Sequence, residues 1–371
     1  MSDHNQKHLL LAYALQVGLT QRDLVSYGPK ALEISLEEWI VSSSIKEERK
    51  ENIRVNIANI SIQIVEDAIA KWCIILLRED DDYPQSLTSL SHPPELLWAR
   101  GNTDLLNTPS IAIVGSRKPT QYTQRSLDMI IPRLVEAGYT IISWGALGAD
   151  TMAHEVALKY DGHTIAVFGT GIDRSYPASN RALFTRMIES GSLIISQFPL
   201  GTQWIAYNFP IRNEIVAGLS LGLLVTEAAE ESGSLITANL ALESNKEVFA
   251  LPGFIDHSGS SGANRLIQKW HAKLIVNADD ILVEIERDRG SAASSINTKT
   301  SSNKKISSVQ SKRDHLSDIH KSIYDAISAW AVHIDTISRE TNIDISSLFA
   351  YIAELEIAWI ITQWPWWYVL S

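Results

Sequence analysis

Cysteine is nearly missing from this chain of 371 residues. Cys73 stands alone, which excludes an internal disulfide and any multi-cysteine metal site and suits a reducing compartment. Also missing is an uninterrupted apolar run near the ~20 residues that a bilayer span takes. The start, MSDHNQKHLLLAYAL, has too short an apolar stretch and no small-residue cleavage pattern, so it predicts an amphipathic helix and not a secretory signal. The expected location is the cytoplasm. Positive charge is in deficit as well: the net charge is −11. That sign excludes a protein that coats nucleic acid through its whole-molecule field, so any such site has to gather a few cations locally. Residues 109–285 hold 13 Lys+Arg against 17 Asp+Glu, a balance of −4, so the rule applies to the middle of the chain too.

Hydrophobic content of 45% and charged content of 20% are those of an ordinary globular protein, long enough for two or three domains. Residues 5–65 place apolar side chains three and four apart (Leu9, Leu10, Tyr13, Ala14, then Ile57, Ile60, Ile64), which predicts a helical N-terminal domain over 1–68. The run 74–77 with the acidic turn Asp80-Asp81-Asp82 and a strand near Leu96 reads as a connector. From Ile111 short apolar strands alternate with helices: 111–114, 139–143, 164–168, 193–196, 221–226, 247–251 and 272–275. All-apolar strands separated by helices predict an α/β domain over 69–288, a Rossmann-like, doubly wound, mostly parallel sheet that binds ligands at the carboxyl ends of its strands. Residues 290–313 contain eight serines and no aromatic residue, which predicts a flexible linker over 289–316. Helix, helix, helix and an apolar hairpin then predict a winged helix over 317–371. Its third helix, DISSLFAYIAELEIA, has no Lys or Arg, so protein contact and DNA contact stand level as its role.

Several small-residue turns share the carboxyl edge of the predicted sheet. Gly115-Ser116-Arg117 precedes a helix, where backbone N–H groups and a guanidinium can face an anion. Gly145 and Gly169 lie in the turns after the second and third strands. Phe209, Arg212 and Asn213 follow in FPIRN, and Ser232, Gly233, Ser234 and Thr237 open a later helix. Plain N-capping explains Ser232 or Ser234 taken singly.

The segments IAIVGSR, TIAVFGTGIDRSYPASN, FPIRNEIVAGLS, SGSLITA, EVFALPG and GANRLI, in this order and spacing, resemble the DNA-processing protein A (Smf/DprA) family. The resemblance covers about residues 70–285, with a family-type winged helix at the end. It implies a Rossmann-like homodimer that binds and protects incoming single-stranded DNA in natural transformation and loads the RecA recombinase onto it, without catalysis, cofactor or metal. Arg117 matches the family's phosphate-binding arginine, and Phe209 and Arg212 fall where the family contacts DNA. The chain departs from the family at Leu147, where Arg is common, at Gln197 for Glu, and at Glu214 for a second Arg; Lys118 and Arg181 are the cations left to compensate. A nucleotide phosphoribohydrolase is the competing function, with Asp150, Asp173 or Glu227 as its carboxylate. Its PGGxGTxxE signature is absent, and so is a Walker GxxxxGK[ST]. His154, His163, His257 and His271 lie at no ligand-like spacing, which predicts no metal.

Tryptophan is abundant, with 11 residues, and several stand where the family and the backbone favour glycine: Trp72, Trp144, Trp270, Trp359, Trp366 and Trp367. We read these as UGA codons translated as Trp where the source reads them as Gly; the alternative is genuine aromatic packing. The codons at 144, 270, 366 and 367 decide, since UGG at any of them removes the recoding at that position.

Overall fold

The apolar runs are strands. A computed structural model of the chain describes residues 3–296, 318–326, 332–341, 343–357, 361–364 and 367–370. It divides into two units, 1–287 and 288–371. In the first, nine strands form one sheet: β1 (Ile74–Leu77), β2 (Leu96–Gly101), β3 (Ser110–Val114), β4 (Thr140–Ser143), β5 (Thr164–Phe168), β6 (Leu193–Ser196), β7 (Gly222–Val225), β8 (Glu247–Ala250) and β9 (Lys273–Leu274). Their order is β1-β2-β6-β5-β4-β3-β7-β8-β9. β3 to β9 are all parallel, and β2 joins β6 antiparallel. The strand order reverses between β3 and β7, where this class of sheet opens its crevice.

The helices of this unit are α1 (Asp3–Gln16), α2 (Gln21–Tyr27), α3 (Leu36–Ser42), α4 (Glu47–Asn59), α5 (Gln63–Lys71), α6 (Gln85–Thr88), α7 (Gln121–Glu136), α8 (Ala149–Lys159), α9 (Arg181–Glu189), α10 (Asn208–Leu219), α11 (Gly233–Glu243), α12 (Ser261–Gln268) and α13 (Asp279–Ile296). Side chains alternate across each strand. Ala112 and Val114 therefore pack with Val216 of α10 and Ala238 of α11, while Ile111 and Ile113 face Leu127 and Ile131 of α7 and Ile281 of α13. Both faces are covered, which is why the strand centres are apolar and the polar residues, such as Ser110, Thr140 and Ser196, stand at strand ends.

Two predicted boundaries shift. The N-terminal helices do not stand apart, because Leu11, Leu15, Tyr27 and Trp39 share a core with Trp98, Phe168 and Phe184. Gln21 fixes the joint: its side-chain amide donates to the carbonyls of Leu96 (3.0 Å) and Gln197 (2.8 Å), and its oxygen accepts from the Leu96 amide at 3.0 Å. β1 and β2, expected as a connector, instead extend the sheet. At the other end α13 continues through Ile296, into the stretch read as a linker; the rest of that stretch lies outside the described residues.

In the second unit α14 (Asp318–Ala326), α15 (Ile334–Thr341) and α16 (Ile345–Ile357) accompany an antiparallel sheet in the order β10 (Val332–His333), β12 (Trp367–Leu370), β11 (Ile361–Trp364). Asp344 caps α16, its carboxylate accepting from the Ser347 amide at 3.0 Å. Three helices and a hairpin make the expected winged helix. Trp359 and Trp366 lie outside the described residues.

Trp270 occupies the position after α12 in the left-handed region, φ +60°, with its side chain 94% exposed. The amide of Trp270 donates to Ile267 (3.0 Å) and that of His271 to Leu266 (2.9 Å), the Schellman pattern whose left-handed residue is ordinarily Gly. An indole there carries the left-handed penalty and buries nothing in return. Trp270→Gly is expected to stabilise the protein by about 1 kcal/mol, read as a higher urea midpoint at unchanged m-value; a lower midpoint means that the indole packs.

Candidate functional site

Four loops meet at the carboxyl edge of the sheet, and their own side chains lock them together. The turn after β3 needs Gly115, because a Cβ there would lie 2.0 Å from Thr226 Oγ1. Gly148 (φ +85°) lets the start of α8 approach this turn, and the Ala149 amide donates to the Ser116 carbonyl at 3.0 Å. The Ser234 hydroxyl, on α11, donates to the Gly115 carbonyl at 2.9 Å. Glu227, buried after β7, accepts from the Thr120 amide (2.6 Å), the Thr120 hydroxyl (2.8 Å) and the Thr123 hydroxyl (2.8 Å). Its negative charge thus sits at the N-terminus of α7, where the helix dipole favours it.

The loops after β4 and β5 are joined in the same way. Asn180 donates to the Gly145 carbonyl (3.0 Å) and to Thr151 Oγ1 (2.7 Å), while Asn208 donates to the Gly169 carbonyl at 3.1 Å. Arg212, on α10, is 3% exposed; its Nη1 donates to the Val167 carbonyl at 2.8 Å and its Nε to Asn213 Oδ1 at 3.2 Å. The guanidinium lies 4.8 Å from the Trp144 ring and 5.3 Å from the Phe209 ring. Burial pulls its pKa down, opposed by the charge of Asp150. Asp150 is also buried, which pushes its carboxyl up against the pull of Arg212, the Ala146 amide and the Ser143 hydroxyl.

Outward from this buried layer the surface changes character. Arg117 is exposed, no carboxylate among the described residues lies within ion-pair distance of it, and its guanidinium carbon is 5.8 Å from the Phe209 ring. Phe209 continues into a row of rings: Trp204 at 5.5 Å, then Tyr176 a further 5.7 Å on. Trp204 and Tyr176 are each more than 40% exposed. The mouth therefore offers an unpaired guanidinium beside three aromatic rings.

The predicted residues divide by what their groups already do. Arg117, Gly169, Phe209 and Arg212 line one shallow cleft together with Trp144 and Tyr176. Gly145 shapes the adjoining turn at φ +80°. Arg212 stands behind Phe209 with its donors turned to protein oxygens, and Asn213 is occupied by Arg212. Arg181 is exposed at the start of α9 and Lys118 beside Arg117. Ser232 accepts from the Ser234 amide at 3.3 Å, plain N-capping, and Gly233 is exposed on that turn. Thr237 is buried with a hydroxyl that has no hydrogen-bond partner. Trp144 is buried under Arg212, and its indole N–H also lacks a partner. Of the departures, Leu147 is exposed at the rim, Gln197 is buried beneath Gln21, and Glu214 is half-buried on α10. Tyr176 and Trp204 were missed from the sequence. For Trp204 the signal was a ring in the polar stretch just before the FPIRN helix; Tyr176 stands in the segment GIDRSYPASN after β5, beside Arg174, where no apolar periodicity calls for a ring.

The fold and this edge define a class: a Rossmann-like α/β protein with a mouth of rings and guanidinium at its topological switch, followed by a winged helix. The family model described as DNA recombination-mediator protein A matches residues 74–286, and the DprA winged helix domain model matches 310–365. DNA processing protein DprA of Streptococcus pneumoniae is 43% identical over 207 residues, 56% of this chain and 72% of that protein. Protein Smf of Synechocystis is 33% identical over 325 residues, 82% of this chain and 81% of that protein. Among solved structures, that of DprA from Streptococcus pneumoniae superposes with a TM-score of 0.64 at 35% identity, over 73% of this chain and 96% of that one. DNA processing protein A of Helicobacter pylori, whose structure is described as revealing a single-stranded DNA binding mode, gives 0.53 at 32%, over 58% and 96%. The chain belongs to the DNA recombination-mediator protein A (DprA/Smf) family.

Buried and exposed arginine should separate cleanly. Arg212→Ala is expected to lower stability by about 1.5–3 kcal/mol, the range for hydrogen bonds to charged groups. Arg117→Ala should stay within about 0.5 kcal/mol, as surface changes do. Denaturant titration of both variants measures this, and equal losses would show that Arg117 also holds the fold.

Proposed function

We propose that the protein binds single-stranded DNA at the carboxyl edge of its sheet, with Arg117 on a phosphate and Phe209, Trp204 and Tyr176 as stacking faces. The observation that carries this reading is the unpaired Arg117 guanidinium beside a row of rings that runs from half-buried Phe209 to exposed Trp204 and Tyr176. A single strand presents bare base faces and flexible phosphates to such a surface, whereas a duplex hides its bases. Arg212 acts from behind, holding Phe209 and lending positive potential through it. Gly145 and Gly169 keep the turns low enough for a strand to approach. Arg181, Lys118 and the α11 start at Ser232 and Gly233 flank the path.

Within this reading the protein is not an enzyme and takes up its role in the cytoplasm, in natural transformation, by shielding incoming DNA and passing it to the RecA recombinase as a homodimer. Support for those finer points comes from family membership alone. Among the described residues no helix is long and apolar enough to cross a membrane, in keeping with this role. The phosphoribohydrolase reading gains nothing from the site. Asp150 accepts from the Ala146 amide, Asp173 from the Gly201 amide and Glu227 from Thr120 and Thr123, so each carboxylate braces a loop.

Binding of labelled oligo-dT against duplex of equal length at two salt concentrations tests the proposal; preference for duplex defeats it. Arg117→Ala should weaken oligo-dT binding and lower the log–log salt slope by about 0.7, the contribution of one phosphate contact on a single strand. Phe209→Ala should remove about 1–3 kcal/mol with the slope unchanged.

A chain ending at Ile296 should retain most of its oligo-dT affinity, since every group assigned above lies before that residue. Loss of binding by a truncated protein with intact circular dichroism would move the reader to the winged helix.

A further inference from the structure

We propose that His4, His8 and Asp80 form a binding site for a divalent transition metal, with zinc the best match, clamping α1 to the turn after β1. The donor atoms of the three residues all lie within 4.8 Å of one another, the one such cluster of three or more among the described residues. His4 and His8 are four residues apart on α1 and so share a face, their ring centroids 4.1 Å apart. Asp80 comes from the far side of the joint. The histidines singled out from the sequence as unsuited to a metal were four others; the fold is what brings Asp80 to this pair.

Two features point to a cation. The Asp80 side chain is only 9% exposed, and its Oδ1 is buried with no hydrogen-bond partner, 3.8 Å from His4 Nε2. A buried carboxylate oxygen with nothing to accept from is costly, and a bound cation satisfies it. Second, His8 Nδ1 lies 2.7 Å from the His4 carbonyl, which can only accept, so Nδ1 carries the proton. In a neutral ring Nε2 then presents its lone pair, the outer-shell arrangement that orients metal-binding histidines. That lone pair faces Asp80 Oδ2 at 2.8 Å. Lone pair against carboxylate is repulsive unless a proton or a metal ion lies between them. A proton on Nε2 serves Oδ2 only, and leaves Oδ1 as it is; a metal ion draws on His4 as well and accounts for all three groups.

The donor set selects the ion. Two imidazoles and one carboxylate suit zinc and its transition-metal neighbours at about 2.0–2.2 Å, while calcium and magnesium call for oxygen alone. Leu77 supplies the supporting bond, its amide donating to Asp80 Oδ2 at 2.7 Å, so the carboxylate is already aimed. The cluster lies on the wall of a cavity of about 770 Å³ whose lining includes Glu66, Asp81 and Asp82, an acidic surround that draws cations in and leaves room for water as a further ligand. Metal binding releases any proton on His8 Nε2 to solvent and exchanges water ligands of the hydrated ion for the two imidazole nitrogens and the carboxylate.

The untagged full-length chain, stripped with chelator, is titrated with Co²⁺ and followed by its visible d–d absorption, then with Zn²⁺ in competition. One equivalent per chain is expected, displaced by Zn²⁺, with a rise in Tm on adding Zn²⁺. His4→Ala should reduce Zn²⁺ affinity at least about tenfold, since even outer-shell partners contribute 10–100-fold, and should abolish the Tm rise. His4 is 64% exposed, so the variant's metal-free Tm should match wild type. Asp80→Asn should lose the metal likewise. Absence of a Co²⁺ spectrum, or Zn²⁺ binding that His4→Ala leaves unchanged, overturns the site and leaves His8 and Asp80 as a simple ion pair.

Discussion

The mouth of this protein is organised by one buried guanidinium. Arg212 reaches from α10 under the sheet edge to the carbonyl of Val167, and by doing so joins the helix after β6 to the end of β5. Rings of Trp144 and Phe209 lie beside it, and Asp150 faces it from α8. A charge in such a place is expensive unless its donors are satisfied, and the Val167 carbonyl and Asn213 Oδ1 accept from two of them. Arg117 and Arg212 both lie beside the Phe209 ring, at 5.8 and 5.3 Å.

Around that centre the loops are braced by short polar contacts, not by bulk. Ser234 to Gly115, Asn180 to Gly145 and Asn208 to Gly169 each join a turn to a neighbouring element. Backbone carbonyls at a sheet edge need partners when buried, and here the side chains of adjacent helices supply them. The arrangement leaves the small residues free to do what their size permits, which is to let another backbone approach.

Much of this was legible in the sequence because parallel strands covered on both faces must be apolar at their centres, and β3 to β8 are, with Ser, Thr and Glu confined to their ends. The turns were legible because Gly marks close approach, and the family motifs fixed their order. What stayed hidden depends on contacts across long sequence separations. Nothing local in Gln21 says that it will span the carbonyls of Leu96 and Gln197, yet that residue joins the N-terminal helices to the sheet. Arg212 reads as a surface cation until the topology places Val167 above it. The Gly and Ser content after residue 289 suggests a linker, but a helix nucleated in the acidic, apolar segment DDILVEIE propagates through such residues at small cost per residue.

Charge at the mouth has a consequence for how a nucleic acid is held. Where family members commonly carry Arg, this chain has Leu147 at the rim and Glu214 on α10, and the net charge is −11. Fewer phosphate contacts mean that less of the affinity comes from counterion release, which falls steeply with salt. On the proposed reading the rings of Tyr176, Trp204 and Phe209 would act through stacking instead, which salt does not screen. On the proposed reading, this chain has moved the weight of recognition from the phosphates to the bases.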